Sequence, residues 1–229
     1  MSIEVIVQNE QEAIQAEKMG AARLELVSSI DEGGLTPSFE TIKQVLNSVA
    51  VPVQVMIRPH SRDFFYSDSE MNTIIEDVKN VLNLGGHGIV FGALTKDYAI
   101  DEQALEKVIA VSDQLDITFH RAFDEIDNQL NAYRALTNYK KQVKRILTSG
   151  GHVDCLKGKN QLRKLVELSK EMEGPSILCG GGLTPTNIEE IHQTVRASEY
   201  HLGSGVRKNS SYAEGFDKEV MEQVTEMKA

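Results

Sequence analysis

The chain has 229 residues, 41% of them hydrophobic, with a formal net charge of −10 and a pI near 5.1. That length suffices for a large core and suits one barrel-sized domain or two small ones. An acidic chain with no Trp and no basic stripe argues against a nucleic-acid partner. No apolar run approaches the ~20 residues that cross a bilayer, so no membrane span is expected. The only cysteines, Cys155 and Cys179, form neither a disulfide framework nor a zinc signature and suit a reducing compartment. The opening run Met1-Ser2-Ile3-Glu4-Val5-Ile6-Val7 lacks the basic start and long apolar stretch of a secretory leader, which predicts a soluble cytoplasmic protein.

Short β-rich runs alternate with amphipathic ones. Residues 3–8 read as a strand, 10–19 as a helix, 23–27 as a strand and 38–49 as a helix. The pattern continues with strand 53–58, helix 69–84, strand 88–91, helix 101–111, strand 116–121 and helix 129–139. Strand 143–149, helix 159–172, strand 176–179, helix 186–195 and strand 198–202 follow. Beyond Tyr212, Phe216, Val220 and Val224 recur at helical spacing and predict a last helix. Thr36-Pro37-Ser38 and Thr184-Pro185-Thr186 place Pro near a first turn, and Ser67 with Glu70 fits a capping box. Strict alternation predicts a parallel sheet, and eight such units predict a (β/α)8 barrel spanning 1–229 as one domain. A doubly wound open sheet would need longer, more uniformly apolar strands.

Side chains alternate faces along a strand. If the apolar set packs on helices, the barrel interior receives Glu4, Gln8, Glu25, Gln54, Arg58, Thr118, His120 and His201. Unpaired charges there would cost several kcal/mol each. They must be paired, wet or ligand-bound, and Arg58 with Glu25 or Glu4 is the obvious pair. Glu4 and Gln54 lie deeper, where a structural network is the alternative. Glu25, Arg58 and His120 lie near the C-terminal strand ends, where barrel active sites are built. The fifth predicted strand stops abruptly in His120-Arg121.

The seventh predicted strand is followed by Gly180-Gly181-Gly182 and the eighth by Gly203-Ser204-Gly205. Loops at these two positions often bind phosphate, since glycine lets backbone N–H groups approach an anion. Turn geometry alone is the alternative. Thr148 and Ser149 add hydroxyls at the end of the sixth strand. The long loop from Arg58 to Ser67, rich in Arg and aromatics, reads either as a lid or as a self-packed surface loop.

Several runs together resemble the CutC copper homeostasis family: Arg23-Leu24-Glu25-Leu26, Glu32-Gly33-Gly34-Leu35-Thr36-Pro37-Ser38, Met56-Ile57-Arg58-Pro59, Asp63-Phe64-Phe65-Tyr66-Ser67, Thr118-Phe119-His120-Arg121-Ala122-Phe123-Asp124 and Arg145-Ile146-Leu147-Thr148-Ser149-Gly150-Gly151. The resemblance implies a (β/α)8-type barrel, a cytoplasmic location, a homodimer or higher homo-oligomer, and copper binding or trafficking. Some family members carry cysteines at the ends of the first two strands. Here those places read Val7-Gln8-Asn9 and Leu26-Val27-Ser28. Cu(I) prefers thiolate and thioether ligands, so its candidates here are Cys179 at the end of the seventh strand, Met56, and the imidazoles of His201 and His120.

Two functions of different class therefore stand. One is a copper-binding homeostasis protein using Cys179 and His201. The other is an enzyme or binding protein for a small phosphate- or carboxylate-bearing metabolite. There Arg58 and Arg121 would hold the anion, with Glu4, Thr148, Ser149, Gly181, Gly182, His201 and Ser204 around it. His120 would be the general acid/base and Glu25 its partner.

Overall fold

A computed structural model describes residues 1–227. Eight parallel strands close in chain order into a barrel, β1 pairing β2 and so on round to β8 on β1. They are β1 (Ser2–Val7), β2 (Arg23–Leu26), β3 (Val53–Met56), β4 (Gly88–Phe91), β5 (Asp116–Phe119), β6 (Val143–Thr148), β7 (Ser176–Gly180) and β8 (Glu199–Leu202). The helices are α1 (Glu10–Lys18), α2 (Phe39–Ser48), α3 (Asp68–Asn83), α4 (Glu102–Ile109), α5 (Gln129–Thr137), α6 (Cys155–Met172), α7 (Ile188–Val195) and α8 (Lys218–Thr225). No helix among the described residues is long and apolar enough to cross a membrane.

Several boundaries differ from the sequence reading, each for a local reason. The ends of β3 and β5 are shorter: Arg58 lies beyond β3, and His120 caps a 3-10 turn over Arg121–Glu125 by accepting the Ala122 N–H at 3.2 Å. Helix α6 begins at Cys155 rather than at 159, because Asp154 caps it by accepting from the Lys157 N–H. Gly158 in its first turn hides that start, since glycine is a poor helix former. Only glycine fits there, because a Cβ would stand 1.8 Å from the Ser149 carbonyl oxygen. Cys155 is thus a buried helix residue. Phe216 packs in the core ahead of α8, on a loop rather than a helix turn.

Face alternation in β1 sends Ile3, Val5 and Val7 into the layer between barrel and helices, together with Leu24, Leu26, Val55, Ile117, Phe119 and Tyr200. The barrel interior holds two zones. Its N-terminal end is plugged by ions and amides. Arg23 bonds Glu4 and meets Glu199 at 2.7 Å. Arg145 pairs with Asp116 and donates to Thr118 Oγ1 at 3.1 Å, while Gln54 donates to Asp116 at 3.3 Å. Above it, Ile6, Val27, Met56 and Val90 form a small apolar cluster, with Ile30 and Tyr212 packed on it. Gln8 lies past the end of β1, and its backbone N–H donates to Glu12 at 3.0 Å.

Candidate functional site

At the C-terminal rim, over that apolar cluster, opens a cavity of about 370 Å³. Glu25, Arg58, His120, Arg121 and His201 all line it, as do Gly181, Gly182, Ser204 and Tyr212. Apolar walls come from Ile6, Met56, Phe64, Leu147 and Leu183.

Arg58 does not pair with Glu25 or Glu4. Its guanidinium, in a residue 9% exposed, reaches only main-chain carbonyls, those of Glu32 (3.4 Å), Gly34 (3.5 Å) and Ser61 (3.3 Å). Its Nε has no partner, and its flat face lies 4.8 Å over the Phe64 ring. No carboxylate among the described residues forms an ion pair with it. The loop from Arg58 to Ser67 is packed by aromatic contacts: Phe64 on His120, Tyr66 on Phe91 and His60 on Tyr66.

His120 does not meet Glu25 either. Its Nδ1 accepts the Ala122 N–H, so in the neutral ring the proton sits on Nε2, which is buried without a partner. Burial, aided by the charge of Arg58, lowers its pKa to about 3. At neutral pH the ring is uncharged and presents an N–H, a donor rather than a base.

Glu25 meets His201 instead. His201 Nδ1 and Glu4 Oε1 lie 2.7 Å apart, while His201 Nε2 faces Glu25 Oε2 at 3.6 Å. Burial opposes ionisation of Glu4, but the His201 hydrogen bond and the Arg23 charge outweigh it and hold the carboxyl at about 2. Glu25 lacks such support. Burial, with the Glu4 charge adding, raises it to about 7 against the pull of His201 and Arg23. Burial alone would lower His201, yet the two carboxylates raise it. Glu25 Oε1 has no partner.

The rim residues divide. Arg121 lines the cavity, but its Nε already pairs with Asp124 at 2.8 Å and its NH2 donates to Ser149 Oγ at 2.8 Å. Thr148 and Ser149 do not line it. Asp124 accepts from the Thr148 hydroxyl, and from the Ser149 N–H (3.1 Å) and hydroxyl (3.0 Å). These hydroxyls tie the β6 loop to the turn after His120. The glycine loops are shaped first by packing: a Cβ on Gly205 would lie 2.0 Å from the Leu183 carbonyl, and one on Gly203 2.0 Å from the Tyr212 hydroxyl. Gly181 (φ +120°) and Gly182 (φ +66°) need backbone that side chains disfavour.

Cys179 and His201 do not converge. Cys179 pairs in register with Tyr200 and shares its face, buried in the layer against the helices, whereas His201 points to the cavity. Burial, with Cys155 nearby, pushes the Cys179 thiol well up, and burial takes Cys155 to about 12. The one group of three metal-capable side chains among the described residues is Glu4, Glu25 and His201, whose ligand atoms lie within 4.8 Å of one another.

Arg207 and Tyr212 escaped the sequence reading. Arg207 is buried between the rings of Tyr212 (4.9 Å) and Phe216 (4.5 Å), pairs with Glu12 at 2.6 Å and donates to the Ile6 carbonyl at 3.2 Å. It fastens the segment after β8 to the first βα unit and so sets Tyr212 on the cavity wall. An Arg followed five and nine residues later by aromatics was the available signal, but it has no regular period.

Comparison with known proteins agrees with this architecture. The phosphoribosyl anthranilate isomerase of Thermotoga maritima superposes with a TM-score of 0.64 over 97% of this chain and 96% of its own, at 14% identity, which shows the fold alone. The crystal structure of CutC from Streptococcus agalactiae superposes with a TM-score of 0.81 at 30% identity, over 89% of this chain and 98% of that one. The copper homeostasis protein cutC homolog of Homo sapiens is 38% identical over 220 residues, 93% of this chain and 79% of that protein. The model of the CutC family matches residues 1–206. The chain belongs to the CutC family.

Proposed function

We propose that the cavity binds a small anionic metabolite bearing a phosphate or carboxylate, and that this ligand site is the working part of the protein. The observation that carries the reading is Arg58. A guanidinium buried without a carboxylate partner is strongly unfavourable, by several kcal/mol. Its unpartnered Nε and its place in the cavity lining make it the natural counter-charge for a ligand. The Gly181-Gly182 backbone and Ser204, from the loops after β7 and β8, line the same cavity and add neutral donors. The two unpaired thiols fit a reducing compartment.

Thermal unfolding against a panel of phosphate- and carboxylate-bearing metabolites tests this. A ligand at about 100 times its Kd contributes about 2.7 kcal/mol, which for a chain of this size is roughly 5–10 °C in Tm. Arg58→Ala is expected to abolish that shift. A panel without any shift in the wild type ends the reading.

Copper, as cargo, draws support from the name of the Homo sapiens relative. The residues here do not fit a Cu(I)–thiolate centre. A metal-binding thiol must be deprotonated, and Cys179 is buried, faces the helices and holds its proton tightly. The soft donor on the cavity wall is Met56, while the group of Glu4, Glu25 and His201, with Glu4 behind the wall, offers oxygens and an imidazole, which suit divalent ions better than Cu(I). Cys179→Ser is therefore expected to leave Cu(I) affinity, measured by competition with a chromogenic chelator, within twofold of the wild type. A tenfold loss would restore the thiol centre.

A further inference from the structure

Holding an anion needs Arg58 and a few N–H groups. The cavity contains more than that. Two further residues of its lining carry buried polar atoms without a partner, and they are of opposite kind. His120 is locked in place: Nδ1 accepts from Ala122, Phe64 packs on its ring at 4.9 Å, and Gly92 leaves room for it where a Cβ would stand 2.6 Å from Nδ1. The ring therefore presents Nε2–H without a protein acceptor. Glu25, 2% exposed, lines the same cavity with its Oε1 buried and unpartnered, backed by His201 and, behind that, by Glu4 and Arg23.

A fixed neutral donor and a carboxyl able to take or give a proton, within one enclosed pocket, are the two parts that moving a proton next to a carbonyl requires. A carbonyl oxygen gains negative charge when the neighbouring C–H is broken, and a buried N–H aimed at it stabilises that charge. Resting on the anion-site reading above, we propose that the pocket isomerises a small hydroxy-carbonyl compound bearing a phosphate or carboxylate, with Glu25 as the proton carrier and His120 as donor to the carbonyl oxygen.

The step balances within the pocket. The Glu25 carboxylate takes the proton from the carbon beside the carbonyl. The C–H electrons form a C=C bond, and the carbonyl π electrons move onto the oxygen as an enolate, to which His120 Nε2–H donates. Glu25 then returns the proton to the adjacent carbon while the neighbouring hydroxyl proton moves to the first oxygen. Substrate and product differ only in where the carbonyl lies, so no oxidant or reductant is involved. Arg58 holds the anionic end, and Ile6, Met56 and Leu147 keep water from the reacting carbons. The roles expected from sequence are thereby exchanged: Glu25 carries the proton and His120 polarises.

Isothermal titration with two metal-free probes in EDTA tests this: glycerol 3-phosphate, which supplies the phosphate without a carbonyl or carboxylate, and phosphoglycolohydroxamate, which adds an enediolate-like group. The wild type is expected to bind the hydroxamate at least tenfold more tightly. Glu25→Gln and His120→Asn should each reduce that preference to twofold or less, while glycerol 3-phosphate affinity stays within twofold. Arg58→Ala should weaken both probes together. In deuterated water, dihydroxyacetone phosphate should take up deuterium at carbon in the wild type and not in Glu25→Gln. Equal binding of the two probes with Arg58 dependence intact, or no deuterium uptake, overturns the proton-transfer proposal and leaves the anion site standing. Binding of neither probe overturns both.

Discussion

Arg23→Ala is expected to lower the unfolding free energy by about 3 to 5 kcal/mol, the usual consequence of removing one partner from a buried ion pair. Arg23 bonds Glu4, whose side chain is fully enclosed, and Glu199, itself held by the Ser176 hydroxyl at 2.5 Å. Without the guanidinium, the buried Glu4 carboxylate and the half-buried Glu199 carboxylate face each other across the β1–β8 ladder, where Ser2 pairs with Glu199 and Glu4 with His201. Urea unfolding reads the change as a lower midpoint at unchanged slope. A loss under about 1 kcal/mol would mean that water reaches this end of the barrel and screens the charges. The variant should also reach the cavity. Glu4 would lose a group that keeps it ionised, and Glu25 one of the charges that oppose its raised pKa.

A second large effect concerns pH. Glu25 titrates near 7 in the fold against about 4.5 in the unfolded chain, so the folded state holds the proton longer. Its contribution is fully present below pH 4.5 and is lost as pH rises towards 7, beyond which the difference is constant. Wild type minus Glu25→Gln should therefore fall by up to about 3 kcal/mol across that window. His120 works in the opposite sense: its pKa falls from 6.5 to about 3, so its contribution is present above 6.5 and is lost as pH drops. That slope is common to both proteins and cancels in the difference. Glu4, His201, Arg23 and Tyr212 are the other charged or titratable groups acting with Glu25, so the window belongs to the Glu25–His201 pair rather than to one residue. Chemical unfolding at half-unit pH steps gives the curve. A difference that is flat from pH 4.5 to 7 would mean that Glu25 is solvated and unfit to carry a proton.

Much of this was legible in the chain. Alternation of strand and helix gave the closed barrel, because each unit buries an apolar strand face against its own helix. Period-two reading also turned Glu4, Glu25, Gln54, Thr118 and His201 inward, as the structure has them. Pairings were not legible. Arg58 reads from sequence as the partner of Glu25 or Glu4, yet Arg23, at the very start of β2 and absent from the inward list, takes Glu4. Arg145 and Asp116 are absent from that list too. Whether a strand-end charge plugs the barrel or meets solvent depends on register across neighbours, and one strand does not encode that. The cavity wall drew on Ile30, Leu183 and Tyr212 from irregular loops, where no period marks a side chain's direction.

The ion plug at the N-terminal end has a consequence for how the chain is made. Glu4 and Arg23 emerge from a ribosome early, and Glu199 almost last. Until β8 arrives, β1 and β7 each offer a bare edge, the kind of surface that pairs with other chains. The Arg23 guanidinium is then half-matched, with Glu4 in place and Glu199 still missing. Barrel closure supplies the second carboxylate and removes both edges in one event, because the Arg23 partners straddle the seam between first and last strand. A stalled or shortened chain ending before residue 199 would keep both an open edge and an incomplete ion cluster, a combination that marks it for aggregation or degradation.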